Sequence, residues 1–250
     1  MNHFSQRLKK LLGLGRHTAG PDDLKDFTPG EKALLEKVAP FTMTSPARGL
    51  ALIRAMDYVT TNKIPGDFVE CGVWKGGSAM IIAEKLKTTG LTQRRIFLYD
   101  TYEGMSEPTS LDKSFDGKSA SEQLSGASRE DSRSVWCYST LDEVKQNVRS
   151  AGYPDEKLMF VQGKVEETIP HTMPEQIALL RLDTDWYEST RHELIHLFPR
   201  LAVGGILIID DYGHWEGCKK AVDEYFAENK VQIFLSRIDY TGRIAVKLNP

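Results

Sequence analysis

Four aspartates fall in two short clusters, each directly after a predicted buried strand. Asp183 and Asp185 lie in the sequence LDTDWY, and Asp210 and Asp211 lie in IIDDY. Because open α/β sheets bind ligands at the carboxyl ends of their strands, these carboxylates are expected to converge there. Converging carboxylates raise each other's pKa, and a hard divalent cation relieves their repulsion. Oxygen ligands without a nearby Cys favour Mg²⁺, Mn²⁺ or Ca²⁺ over zinc.

The same clusters predict chemistry at a hydroxyl group. A metal that binds a substrate hydroxyl lowers its pKa and orients it for attack. Asp185, two residues past Asp183, is free to act as a general base toward that hydroxyl, and His214 is an alternative base or substrate contact. The competing interpretation is that the aspartates only cap the helices that follow, which Asp does well.

One motif favours a different metal. Residues 192–196, HELIH, match H-E-x-x-H, in which two histidines on one helical face bind zinc in metalloproteases. The segment also carries apolar residues typical of a helix packed on a sheet face, away from the strand ends. Since no third ligand of the right type follows closely, we interpret both histidines as helix-surface or core residues.

A second set of residues suits a cationic nucleoside ligand. The stretch FVECGVWKGGS at 68–78 runs from a strand through a glycine turn into a helix. A dinucleotide fold would place another glycine two residues after Gly72, so that the backbone can approach a pyrophosphate. Here that residue is Trp74, whose indole would obstruct a phosphate. S-adenosylmethionine has a sulfonium and no phosphate, and the nearby carboxylate of Glu70 suits it better than an anion.

The next two strand ends extend this prediction. Asp100 ends the second strand, where the two oxygens of an acidic residue can hold both hydroxyls of a ribose; the alternative is a turn or helix cap. Gly163, after the third strand, is placed either to line the adenine or to form a plain turn.

Short apolar runs alternate with helical patterns, which is typical of a doubly wound α/β sheet. Each run is almost continuously apolar, as expected for parallel strands covered on both faces. The predicted strands are 67–71, 95–100, 158–162, 178–183 and 206–210. The predicted helices are 47–61, 76–87, 141–151, 188–201 and 215–228. Two final strands, 231–235 and 243–248, leave no room for a helix between them and predict an antiparallel hairpin.

Composition and charge exclude several classes of protein. The 250 residues are 40% hydrophobic and 27% charged, which fits a globular chain with a sizeable core. A net charge of −3 gives no electrostatic basis for nucleic-acid binding. Three dispersed cysteines favour reduced thiols over a disulfide framework. No apolar run reaches the roughly 18 residues of a membrane helix, and we expect a cytoplasmic protein.

Two regions depart from the regular pattern. Residues 1–40 are predicted to form a helical extension, and their basic start lacks the apolar core of a secretory signal. That start is expected to contact a partner subunit or a lid, or else a membrane surface. Residues 109–134 form a long polar insertion after the second strand, which predicts a lid over the site or a passive surface loop. Residues 41–250 are expected to form one domain.

The motifs in combination resemble the macrocin-type sugar O-methyltransferases, the TylF family. The resemblance rests on FVECGVWKGGS (68–78), DTYEGM (100–105), LDTDWY (182–187) and GGILIIDDY (204–212), and it covers about 42–226. It implies a Rossmann-like class I methyltransferase fold, with a seven-stranded mostly parallel sheet, a C-terminal antiparallel hairpin and helices on both faces. It also implies S-adenosylmethionine as donor, Mg²⁺ as the metal, and a homodimer or higher homo-oligomer.

The resemblance also implies roles for individual residues. It places the metal on Asp183, Asp210 and Asp211, and the base on Asp185. Together with the motifs, it gives the following expected donor contacts: Met43, Thr44, Glu70, Cys71, Gly72, Val73, Trp74, Ser78, Asp100, Thr101, Gly163 and Asp183.

The acceptor is the least determined component. Known family members methylate hydroxyls of deoxysugars on bacterial natural products, which implies a glycosidic acceptor. A catechol-type O-methyltransferase would use the same carboxylates on a flat aromatic diol. A non-catalytic protein that only binds the donor is a third interpretation, which the four carboxylates disfavour because a binding module has no need of them.

Overall fold

A seven-stranded mixed sheet forms the centre of the computed structural model, which describes residues 25–131 and 133–249. The strands are β1 (Asp67–Cys71), β2 (Ile96–Asp100), β3 (Leu158–Gln162), β4 (Ile177–Leu182), β5 (Leu201–Ile209), β6 (Ser236–Arg237) and β7 (Arg243–Val246). Their order across the sheet is β3-β2-β1-β4-β5-β7-β6. Strands β1 to β5 are parallel, and β7 is antiparallel to both β5 and β6. The predicted fold class is confirmed.

Helices cover both faces of this sheet. In the described part of the chain they are α1 (Pro29–Val38), α2 (Pro46–Thr61), α3 (Gly77–Thr88), α4 (Ala120–Ser125), α5 (Leu141–Arg149), α6 (Val165–Thr168), α7 (Tyr187–Leu197) and α8 (Glu216–Glu228). The first apolar core lies between the sheet and α1, α2, α3 and α5. The second lies between the sheet and α4, α6, α7 and α8.

Alternation along the strands decides which core each side chain faces. In β1, Phe68 belongs to the first core, whereas Val69 and Cys71 belong to the second. Glu70 therefore points to the same side as Phe68. Arg181 of β4 pairs with Glu70 in register, so the two side chains meet on that side, beneath α2.

The predicted strand 231–235 is wrong. Only Ser236–Arg237 pairs with β7, and the amide of Leu235 instead donates to the carbonyl of Ile233 at 3.1 Å. Burial nevertheless alternates along this segment, since Val231, Ile233 and Leu235 pack against the second core. Periodicity reports which side chains are buried but does not report whether the main chain has a partner strand.

Helix α7 also ends earlier than predicted. It stops at Leu197, and a 3₁₀ turn (Phe198–Arg200) follows it. Pro199 has no amide hydrogen to donate, so it does not continue the helical ladder. Strand β5 then begins at Leu201, five residues before its predicted start.

The insertion predicted at 109–134 is docked against the rest of the domain. Buried Asp112 accepts a hydrogen bond from the amide of Tyr187 at 2.8 Å. Ser114 forms a β-bridge with Trp215, and the amide of Phe115 donates to the carbonyl of His214 at 2.8 Å. These contacts tie the insertion to the start of α7 and to the loop after Asp211. Its function as a lid stays a prediction.

The described part of the N-terminal extension packs on the domain. Thr28 caps α1 through a reciprocal pair of hydrogen bonds with Glu31, and Val38 is fully buried in the first core. The predictions for residues 1–16 lie outside the described residues. Over the described residues, none of the helices combines the length and apolar character needed to cross a membrane.

Candidate active site

A cavity of about 290 Å³ lies at the carboxyl ends of β1, β2, β4 and β5. It brings together nearly all the residues that the sequence motifs singled out. The predicted residues that line it are Met43, Thr44, Glu70, Gly72, Val73, Trp74, Ser78, Asp100, Thr101, Gly163, Asp183, Asp185, Asp210 and Asp211. The donor contacts and the metal ligands predicted from sequence thus share one cavity.

At one end of the cavity, Asp100 holds the glycine turn after β1. Its Oδ2 accepts hydrogen bonds from the amides of Val73 at 2.7 Å and Trp74 at 3.0 Å. Its Oδ1 accepts another from the amide of Tyr102 at 2.7 Å. These main-chain amides organise the end of the cavity where the methyl donor, S-adenosylmethionine, is predicted to bind.

Gly72 lets this turn approach the neighbouring strand end. Its φ is +81°, in the left-handed region, and a Cβ there would overlap the carbonyl oxygen of Asp183. A side chain at this position would push the β1 turn away from the β4 loop. The glycine therefore sets the distance between the two halves of the cavity.

In the middle of the cavity, one buried guanidinium joins three carboxylates. Nη1 of Arg181 lies 2.7 Å from Oε1 of Glu70 and 2.7 Å from Oδ2 of Asp183, and its Nη2 lies 2.8 Å from Oδ1 of Asp210. Burial raises the pKa of Glu70 to about 7, despite the attraction of Arg181. Arg181 is only 3% exposed, so these charges have little water to stabilise them.

A second arginine reaches the same carboxylates from α2. Nη1 of Arg48 pairs with Oδ2 of Asp210, and its Nε lies 3.2 Å from Oδ2 of Asp239. Burial by itself would raise the pKa of Asp210, but Arg181 and Arg48 outweigh it and lower that pKa. Asp210 is therefore ionised, with both of its oxygens hydrogen-bonded to arginines.

At the far end, Asp183, Asp185 and Asp211 form a group that a metal ion could bind. One carboxylate oxygen from each lies within 4.8 Å of the others. The carboxyl group of Asp211 thus lies close to those of Asp183 and Asp185, although such groups are ordinarily ionised and repel one another. Burial, followed by mutual repulsion, raises the pKa of Asp183 and of Asp211 well above the usual value.

Negative charge exceeds positive charge in the cavity as a whole. Its described lining includes seven acidic side chains and three basic ones, Arg48, Lys164 and Arg181. Oδ2 of Asp211 is buried and has no hydrogen-bond partner in the part of the chain that the structure describes. A divalent cation would give this oxygen a partner and would offset the negative charge of the three carboxylates.

Several residues considered from sequence lie elsewhere. Cys71 is buried in the second core and does not line the cavity. His214 lines a neighbouring cavity, and its Nδ1 lies 3.0 Å from the hydroxyl of Tyr240. His192 contacts the carbonyl of Ile169 through Nε2 at 2.9 Å, and in the described residues neither His192 nor His196 belongs to a cluster that could hold a metal.

Arg181 and Arg48 are the site residues that the motifs did not predict. Arg181 carried a signal, because an arginine inside the apolar run IALLRL is buried and must have anionic partners. Arg48 carried none, since a long polar side chain on an amphipathic helix is ordinarily solvated. Only the fold brings it to Asp210, 162 positions away.

Comparisons with known proteins identify the family. The family model of macrocin O-methyltransferase (TylF) matches residues 31–246. A Streptomyces olivaceus protein, 8-demethyl-8-(2,3-dimethoxy-alpha-L-rhamnosyl)-tetracenomycin-C 4'-O-methyltransferase, is 34% identical over 187 residues, which are 75% of this chain and 68% of that protein. Demethyldecarbamoylnovobiocin O-methyltransferase of Streptomyces niveus is 33% identical over 189 residues, or 76% and 69% of the two chains.

A solved structure agrees with these relatives. The O-methyltransferase NovP superposes with a TM-score of 0.73 at 28% identity, over 98% of each chain. The chain belongs to the macrocin O-methyltransferase (TylF) family and is an O-methyltransferase.

Proposed function

We propose that this enzyme transfers a methyl group from S-adenosylmethionine to a hydroxyl of a sugar on a natural product, and that the transfer requires Mg²⁺. The observation that carries the proposal is the group formed by Asp183, Asp185 and Asp211 in the cavity that the predicted donor residues line. A site that only bound the donor would have no use for three converging carboxyl groups.

The donor would occupy the end of the cavity between the β1 turn and the β2 end. A ribose there would meet Asp100, whose oxygens keep free lone pairs beside their main-chain hydrogen bonds. Trp74 adds a buried indole nitrogen that has no hydrogen-bond partner among residues 25–131 and 133–249. The acidic excess of the lining favours a ligand that carries a sulfonium.

The cation would be held by Asp183, Asp210 and Asp211, as the family resemblance implies. Oxygen-only ligands fit Mg²⁺, and the orphaned Oδ2 of Asp211 fits a position next to it. For Asp210 to serve as a ligand, Arg48 has to release Oδ2 or share it. The alternative third ligand is Asp185, which already lies in the group with Asp183 and Asp211.

Two variants distinguish these ligand sets. Asp185→Asn keeps Mg²⁺ affinity if Asp185 is only a base, and loses it if Asp185 is a ligand. Arg48→Gln strengthens Mg²⁺ binding if Asp210 is a ligand, because a competing cation is removed from its Oδ2. Calorimetric titration of EDTA-treated protein measures both.

The protein's own groups would hold the acceptor and take its proton. A bound divalent cation lowers the pKa of a hydroxyl that it contacts. Burial raises the pKa of Asp185 to about 7, which is the range in which a carboxylate serves as a general base near neutral pH. Asp183 and Asp211 would orient the reacting hydroxyl of the acceptor. Holding the methyl donor and the acceptor in line supplies much of the rate enhancement.

The sugar acceptor is supported by the relatives and by a second cavity. The printed name of the Streptomyces olivaceus relative describes methylation of a rhamnosyl group. A neighbouring cavity of about 350 Å³ shares Trp215 with the first, and its aromatic lining also includes Phe115, Tyr212 and Tyr240. Such walls suit the apolar faces of a sugar or of its aglycone.

Transfer of a labelled methyl group from S-adenosylmethionine to a panel of acceptors tests the proposal. The panel contains deoxysugar glycosides and free catechols, each assayed with Mg²⁺ and with EDTA. We expect label in glycosides, with EDTA abolishing transfer and excess Mg²⁺ restoring it. Undiminished transfer in EDTA would refute the metal requirement, and transfer only to catechols would refute the sugar acceptor.

A further inference from the structure

A fully buried carboxyl group lies beneath the loop that carries Asp183 and Asp185. Glu193 is 0% exposed and belongs to α7, which packs on the sheet face opposite to Glu70 and Arg181. Its neighbour Leu194 is also fully buried and apolar. A carboxyl group in such surroundings is unfavourable unless its hydrogen bonds are made, so its partners are informative.

Its hydrogen-bond partner in the described residues belongs to the loop after β4. The hydroxyl of Thr184 donates to the carboxyl of Glu193, with Oγ1 at 3.0 Å from Oε1 and 3.2 Å from Oε2. Burial, with Glu193 nearby, raises the pKa of the Cys71 thiol at the end of β1. Glu193 thus holds the loop after β4 from the sheet face opposite to Glu70 and Arg181.

Thr184 lies between the two aspartates and begins a tight turn whose central residue is Asp185. Asp185 has φ +68°, in the left-handed region, and the amide of Trp186 donates to the carbonyl of Thr184 at 2.8 Å. The amide of Asp183 donates to the carbonyl of Cys71 at 2.9 Å. Thr184 lines the cavity together with Asp183 and Asp185, and its hydroxyl is bonded to Glu193. Because Thr184 lies between the two aspartates in the chain, a shift of Thr184 moves both carboxylates.

We propose that Glu193 is a positioning residue for methyl transfer: through Thr184 it fixes where Asp183 and Asp185 lie relative to the donor turn. This inference rests on the proposed function of those aspartates. It also gives the glutamate of the HELIH sequence a use that involves neither zinc nor the two histidines, which contact other groups.

The charge state of Glu193 shapes the choice of variants. Burial, together with nearby Glu166 and Asp183, raises the pKa of Glu193 well above the usual value, although Thr184 and Cys71 oppose the shift. A neutral carboxyl group resembles a carboxamide in shape and charge. Glu193→Gln is therefore the conservative variant, and Glu193→Leu removes the polar group while leaving an apolar side chain of similar size.

The decisive pair of variants lies on the other side of the contact, where folding is less at risk. Thr184 is only half-buried, so Thr184→Val deletes the hydroxyl and keeps the shape, whereas Thr184→Ser keeps the hydroxyl. Glu188→Gln, on an exposed position of the same helix, is the matched control for loss of a carboxyl group. Steady-state kinetics and Mg²⁺ titration are measured on each folded variant.

We expect Thr184→Val and Glu193→Leu to lower kcat and Mg²⁺ affinity by about 10- to 100-fold, as loss of an outer-shell partner does. In these two variants the KM for S-adenosylmethionine should stay within about threefold of the wild-type value. In Glu188→Gln, Thr184→Ser and Glu193→Gln, kcat and Mg²⁺ affinity should also stay within about threefold of the wild-type values. A merely structural contact would instead lower the melting temperature and leave kcat and Mg²⁺ affinity of the folded protein unchanged.

The inference would be overturned if Thr184→Val kept the kcat and the Mg²⁺ affinity of the wild type. It would also be overturned if Thr184→Ser lost as much kcat and Mg²⁺ affinity as Thr184→Val. Failure of the proposed function has a different signature, because the wild-type protein itself would then bind no Mg²⁺. In that case the kcat values of Thr184→Val and Thr184→Ser still decide whether Glu193 positions the loop.

Discussion

The two ends of the cavity satisfy their carboxylates in different ways. At the donor end, Asp100 accepts hydrogen bonds from three backbone amides. At the opposite end, the carboxyl groups of Asp183, Asp185 and Asp211 lie close together, and Oδ2 of Asp211 has no hydrogen-bond partner among the described residues. Arg181 lies between the two ends and contacts Glu70 and Asp183.

This difference separates what folding completes from what a ligand must complete. Main-chain amides come with the fold, so the donor end is organised by the protein alone. Burial raises the pKa of Asp183 and of Asp211, so these groups hold protons that a cation would displace. Metal binding at this end is therefore expected to release protons and to stabilise the protein, whereas changes at the donor end should leave metal binding intact.

The largest expected effect breaks the carboxylate end. Asp185→Asn should lower turnover by about 10²- to 10⁴-fold, because it removes the proposed general base. Donor affinity should persist, since the residues around Asp100 are unchanged. Kinetics and donor titration measure the two effects, with Asp142→Asn on the exposed surface of α5 as control. A retained rate would show that a different group takes the proton.

The next effect concerns Arg181, which lies between the two ends of the cavity. Arg181→Met should destabilise the protein by about 3–5 kcal/mol, because it leaves Glu70, Asp183 and Asp210 buried with less compensating charge. Denaturant unfolding measures the free energy. Arg149→Met, which breaks an exposed ion pair with Asp155, is the control and should have a much smaller effect. Equal stability of the two variants would refute the central role of Arg181.

Glu70 should make the stability of the EDTA-treated protein depend on pH. Its pKa is about 7 when folded and 4.5 ordinarily, so the folded state binds the proton more tightly. The resulting stabilisation, roughly 3 kcal/mol, is complete below pH 4.5 and is lost as the pH rises through 7. Urea unfolding at several pH values should show a flatter profile in Glu70→Gln. An identical profile in that variant would contradict the assignment.

The smallest effect should come from the donor end. Asp100→Asn puts an amide group where oxygen accepts main-chain hydrogen bonds, so donor affinity should fall by roughly tenfold. Mg²⁺ affinity should not change, because Asp100 is not part of the carboxylate group. Titrations with S-adenosylhomocysteine and with Mg²⁺ separate the two. Loss of both affinities would mean that the two ends are not independent.

The sequence was sufficient for the features that strand geometry determines. Residues that follow adjacent parallel strands meet at one edge, so the convergence of the clusters at 183–185 and 210–211 was predictable. The glycine turn and Asp100 were predictable for the same reason. The hairpin was predicted correctly as an element, but its first strand was misplaced because alternation in burial persists where pairing does not.

Contacts between distant segments could not be predicted from the sequence. The pairing of Arg48 with Asp210 and of Glu193 with Thr184 depends on how α2 and α7 pack on opposite faces of the sheet. Docking of the 109–134 insertion depends on a bridge between Ser114 and Trp215, about a hundred positions apart. None of these residue types is distinctive without the fold that brings it to its partner.

The central claim is that the carboxylate end is a cation site that the fold leaves incomplete. Calorimetric titration of Mg²⁺ into EDTA-treated protein, with S-adenosylhomocysteine present, tests it most directly when wild type and Asp211→Asn are compared. The account predicts one Mg²⁺ per wild-type chain, with proton release, and no detectable binding to Asp211→Asn. Absence of binding to the wild type, or equal binding to both proteins, would contradict it.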